Sequence, residues 1–184
     1  MFDNFAFDEV INQINLEFKT CFIAFLSILL GSHSIDEFKA MVTATYNFGV
    51  TTVEMKEIVY QGTTYLGIGR VFSFLHALNQ FCQDHHIASP WEGQSITTTE
   101  NCFGDYYTKT DLDSKQREVI TFCFLYAQGG CEPQLLVHAK TNIRLRNDKT
   151  FLTQVVLACI PFMGYPISLN ALACVNQADQ EMNK

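Results

Sequence analysis

With 184 residues, 48% of them hydrophobic, the chain has ample apolar side chain to bury a core of its own. A net charge of −7 with no cluster of Lys or Arg argues against nucleic acid and anionic membrane surfaces as partners. Sixteen Phe and 7 Tyr beside a charged fraction of only 17% predict that part of the apolar surface covers another subunit.

In chain order, the first strongly apolar run is Cys21 to Leu30, about half the roughly 20 residues that span a bilayer. It reads as a buried helix, and with no basic leader at the amino terminus the expectation is a soluble cytoplasmic protein. Ser34-Ile-Asp-Glu37 and Thr51-Thr-Val-Glu54 place a capping side chain three residues before Glu and predict two helix starts. Met55, Ile58, Val59 and Leu66 keep helical spacing, and Gly67-Ile-Gly69 breaks the pattern before a last helix. Residues 85–110, with His85-His86, Ser89-Pro-Trp91 and Ser95-Ile-Thr-Thr-Thr-Glu100, have no period and read as a linker. Asp113-Ser-Lys-Gln116 starts the next helix, Leu135, Leu136, Ala139 and Ile143 mark another, Asp148 caps a third, and Gly164-Tyr-Pro166 breaks before the last. The fold class is all-α. Seven cysteines set in apolar runs, such as Thr121-Phe-Cys-Phe124, predict small buried hydrophobes and no disulfide framework.

The same helical unit is written twice, over 1–84 and 111–184. Gly31 on Gly129 sets Leu29-Leu-Gly-Ser-His-Ser34 over Gln128-Gly-Gly-Cys-Glu132, and a shift of one residue sets Tyr65-Leu-Gly67 over Phe162-Met-Gly164. This points to duplication. In that register Thr20 stands where the second unit has Glu118, His33 where it has Cys131, and Ala40 where it has His138. Chemistry is therefore sought in the second unit.

Pro133 suits the first position of a helix, so Cys131 sits just before a helix amino terminus, where free N–H groups favour a thiolate or a substrate carboxylate. Gln134, His138 and Asn142 continue from it as one polar stripe. Glu118 lies about one turn from His138 if the two helices pair antiparallel, close enough to orient the imidazole as a proton carrier. The plainer alternatives are a buried structural contact for Glu118 and His138, an inert packing residue for Cys131 and a solvated Arg117. His33, His76, His85 and His86 have no Cys or carboxylate at ligand spacing, so no metal site is expected. Gly67-Ile-Gly69 lacks a preceding strand and a third glycine, so it is no dinucleotide loop.

Several stretches resemble the two-repeat carboxymuconolactone decarboxylase family. They are Asn101 to Glu118, Gly129-Gly-Cys-Glu-Pro-Gln-Leu135 with His138, Arg146-Asn-Asp-Lys-Thr-Phe-Leu152 and Gly164-Tyr-Pro-Ile-Ser-Leu-Asn170. Ile35-Asp-Glu-Phe-Lys39 and Gly49 to Gln61 extend the likeness into the first unit. The resemblance implies a helical fold that assembles into homotrimers or homohexamers. It also implies either a cofactor-free lyase on a carboxylated lactone or a thiol peroxidase similar to alkylhydroperoxidase D. The peroxidase motif matches at Glu118, Cys131 and His138, but Gln134 replaces its second cysteine, so a peroxidase here would need another resolving thiol. Relatives usually carry glycine at Arg146 and arginine at Ile167, and a longer segment where Glu100 here runs into Asn101. The expected site has Glu118, Cys131 and His138 as catalytic groups. Gln134, Asn142, Arg144 and Arg146 would meet a small-molecule substrate. A non-catalytic binding or assembly protein is the remaining alternative.

Overall fold

The computed structural model describes residues 9–88 and 111–183. Most of the expected linker, with the junction of Glu100 and Asn101, lies outside them. The described residues are helical, without strands. After a 3-10 turn at Ile11–Gln13 come α1 (Phe18–Gly31), α2 (Ile35–Asn47), α3 (Thr52–Leu66) and α4 (Ile68–Asp84), then α5 (Ser114–Gln128), α6 (Glu132–Arg144), α7 (Lys149–Met163) and α8 (Tyr165–Met182). None of these helices is long and apolar enough to cross a membrane.

The capping signals form in three of the four places. Thr51 with Glu54 and Asp113 with Gln116 make reciprocal capping boxes, and the Asp148 carboxylate accepts from the Phe151 N–H. Ser34 does not cap α2. Its hydroxyl pairs with Ser32 Oγ at 2.9 Å instead, a neighbour near enough to compete with the backbone.

The two sets of four helices share one plan. Residues 32–34, 48–51 and 67 connect the first set, and 129–131, 145–148 and 164 the second. Ile35–Asn47 and Glu132–Arg144 stand 97 residues apart, as do Thr52–Leu66 and Lys149–Met163. The carbonyls of Ala44, Tyr46 and Thr45 accept from Phe48, Gly49 and Val50, and the same three bonds recur at Leu145, Arg146 and Asn147. Gly49 (φ 86°) and Arg146 (φ 72°) are the left-handed residues of these matching turns.

The helical bounds correct the register suggested by residue identities. Gly31 falls on Gln128 rather than Gly129, so the residues that correspond to Glu118, Cys131 and His138 are Cys21, Ser34 and Met41. The two glycines serve different ends. Gly129 takes φ 64° after α5, whereas Gly31 lets α1 approach α5, where an added Cβ would stand 2.7 Å from Ala127 Cβ and 3.0 Å from Phe124 O.

Helices α1 and α5 form the centre. Every residue from Cys21 to Gly31 is buried, and so is every residue from Val119 to Ala127. They pack on each other, while α2 and α3 lie against α1 and α6 lies against α5. The arrangement crosses over: α7 also packs on α1 and α3 on α5. A helix of the first set therefore borders the residues of α5 and α6 that the sequence marked out.

Candidate functional site

Glu118 stands in the second turn of α5, with its side chain 13% exposed. The returning helix α6 brings His138 to it, and His138 Nδ1 meets Glu118 Oε1 at 2.5 Å. The side chain of His138 is 23% exposed, so the pair is sheltered but reachable. When the neutral imidazole donates its Nδ1 proton to Glu118, Nε2 carries the lone pair and becomes the basic nitrogen.

Asn142 holds the backbone beneath this pair. Its Nδ2 donates to the carbonyls of Glu118 (3.1 Å) and His138 (2.9 Å), and its Oδ1 accepts from Asn147 Nδ2 at 2.9 Å. Asn147 also donates to Lys115 O at 3.1 Å. Asn142 is thus a buried strut between α5 and α6, with its polar atoms engaged by the protein rather than offered to a substrate.

Cys131 is half-buried, and its thiol donates to Leu125 O at 3.1 Å, satisfying a carbonyl near the end of α5. Burial pushes this thiol up, and the carboxylate of Glu132 adds to the rise. A thiolate favoured by the helix terminus, as the sequence suggests, is opposed here by lost hydration and a neighbouring negative charge. Gln134, Arg144 and Arg146 are exposed, and none of them is hydrogen-bonded to Glu118 or His138. The described hollows lie away from the pair; one of about 220 Å³ opens between the starts of α1, α5 and α7, beside Glu17, Thr20 and Lys115.

A comparison with protein-family models found no match, and neither did one with curated proteins.

Two features were not legible from local spacing. Tyr65, near the end of α3, sets its ring edge-on to His138, with centroids 5.7 Å apart, and its carbonyl accepts from Gln128 Nε2 at 3.4 Å. The other is Arg117, expected to be solvated. It is instead 4% exposed, with Nη2 2.6 Å from Glu57 Oε2 and Nε donating to Leu112 O. Gln61 donates to Arg117 O and to Thr121 Oγ1 at 2.7 and 2.8 Å. Both features come from α3, whose crossing to α5 delivers Glu57, Gln61 and Tyr65 beside the helix that carries Glu118. No spacing within the second unit could announce partners from the first.

Proposed function

We propose that this chain is a two-repeat protein of the carboxymuconolactone decarboxylase family, acting as a cofactor-free lyase or isomerase on a small carboxylated lactone. The observation that carries the reading is the Glu118–His138 bond, with Nδ1 held by the carboxylate. The matched turns of the two helical sets and the motif resemblance support it.

In this reading His138 is the catalytic residue, exchanging through Nε2 the proton at the carbon that gains hydrogen as CO2 leaves. Glu118 is a positioning residue that fixes the tautomer and offsets the charge of the imidazolium. The first turn of α6 offers backbone N–H groups to the substrate carboxylate, next to exposed Gln134. Glu132, the one acidic side chain there, is drawn toward Asn170 of α8, with Oε1 and Nδ2 3.4 Å apart. Assembly into homotrimers or homohexamers belongs to the same proposal.

A thiol peroxidase at Cys131 has weaker support, since its sulfur faces Leu125 O and its thiol is held up by burial. The experiment is to incubate the protein with carboxymuconolactone in deuterated buffer, following CO2 release and deuterium in the product by NMR. Release of CO2 with one deuterium in the product, at the carbon beside the lactone carbonyl where the dienolate left by CO2 takes up its proton, is expected. No turnover of the lactone, together with steady consumption of a hydroperoxide and a thiol reductant, would replace this reading with the peroxidase.

A further inference from the structure

Cys174 lies buried on α8 at 6% exposure, and its Sγ rests 3.7 Å from the carbonyl oxygen of Glu132, to which it donates. Asn170, one turn earlier on α8, reaches the Glu132 side chain. Glu132 directly follows Cys131, so a second thiol lies against the peptide unit next to the first. A negative charge on Cys131 would push the Cys174 thiol up, as expected of near neighbours. Cys131 is also preceded by two glycines in left-handed backbone. Gly129 and Gly130 take φ 64° and 70°, and an added Cβ at either would meet open space.

We propose that Cys131 and Cys174 form a dithiol that closes to an intrachain disulfide by exchange with a low-molecular-weight disulfide. Cys131, the more reachable of the two, loses its proton to solvent and attacks one sulfur of the small disulfide. That S–S bond breaks, one half leaves as a thiolate, and the other is bonded to Cys131. Cys174, deprotonated in turn, attacks the Cys131 sulfur; the Cys131–Cys174 bond forms and the second half leaves as a thiolate. The two cysteines are oxidised and the small disulfide is reduced to two thiols. A disulfide needs its Cα atoms about 4.4–6.8 Å apart, and the first turn of α6 already lies on α8 through the Glu132 contacts of Cys174 and Asn170. His138 stands two turns further along that helix, so the disulfide would form close to the imidazole. Burial and Glu132 hold both thiols up, so exchange is slow at neutral pH and accelerates as pH rises through the alkaline range.

The test is to incubate the full chain with oxidised glutathione at mildly alkaline pH, then map peptides without reduction. A peptide pair joining Cys131 to Cys174, in a monomeric chain two hydrogens lighter, is expected. Cys174→Ser should halt at the glutathione adduct on Cys131, and Cys131→Ser should leave Cys174 reduced. The wild-type map decides the matter even if a variant folds poorly. A persistent adduct on Cys131, a bond between separate chains, or an unmodified Cys131 would each overturn the proposal.

Discussion

At the scale of single residues, Arg146 joins His33 and His86 as the residues other than glycine that take a left-handed φ among the described residues. Its φ of 72° lies in the region that costs an L-residue about 1–2 kcal/mol, and the matching turn of the first set has Gly49 there. Arg146 is exposed and holds no hydrogen bond to Glu118 or His138. Arg146→Gly should therefore raise stability by about 1 kcal/mol, read as a higher urea midpoint at unchanged slope. A lower midpoint would mean that the arginine contributes more than its strain costs. The family resemblance raised glycine at position 146 only as an expectation; the physical reason for a glycine there is the φ angle of this turn. Glu118 and His138 were legible for a simpler reason: two antiparallel helices joined by a short turn leave few choices of register. Asn142 was placed on the correct stripe but assigned to substrate, because spacing cannot tell a strut from a ligand-binding amide.

At the scale of helices, the contact between α3 and α5 depends on a charge pair that has almost no water. Breaking such a pair by removing one partner costs about 3–5 kcal/mol, since the other charge stays buried. Arg117→Met should lower unfolding stability by about that amount at neutral pH, measured by urea denaturation. Burial raises the Glu57 carboxyl above its ordinary value, against the lowering effects of Arg117 and the Leu112 N–H. The folded state thus holds the Glu57 proton more tightly than the unfolded chain, and ionised Glu57 costs stability above that raised pKa. The deficit of Arg117→Met should accordingly shrink as pH falls through it; a deficit constant with pH would show that packing, not charge, dominates. The α1 and α5 contact is apolar and tighter. Gly31→Ala would press a methyl against Ala127 Cβ and backbone atoms of Phe124, with an expected loss of about 1–3 kcal/mol in thermal or urea unfolding despite the better helix propensity of alanine. No loss would mean that the two helices can separate freely. These contacts escape a reading of periodicity, which reports which face of a helix is buried but not which helix covers it.

At the scale of the whole molecule, the two helical sets are alike in plan and unlike in chemistry. Where the second has Glu118, Cys131 and His138, the first has Cys21, Ser34 and Met41, with Cys21 and Met41 buried in the core. Phe162, the counterpart of Tyr65, packs its ring 5.0 Å from Phe25 rather than against an imidazole. The first set still contributes, because its α3 crosses to α5 and puts Tyr65 on His138. The all-helical class and four-helix order of each unit were readable from caps, glycine breaks and apolar spacing; the crossing of α3 and α7 was not, being a property of tertiary packing alone. What remains decisive is whether His138 moves a proton. Carboxymuconolactone turnover should be compared in wild-type protein and His138→Ala, with circular dichroism and light scattering confirming the same fold and assembly. Loss of about 10²–10⁴-fold in kcat, with folding and assembly unchanged, is the expected result; turnover retained by His138→Ala would contradict the role assigned to the Glu118–His138 pair.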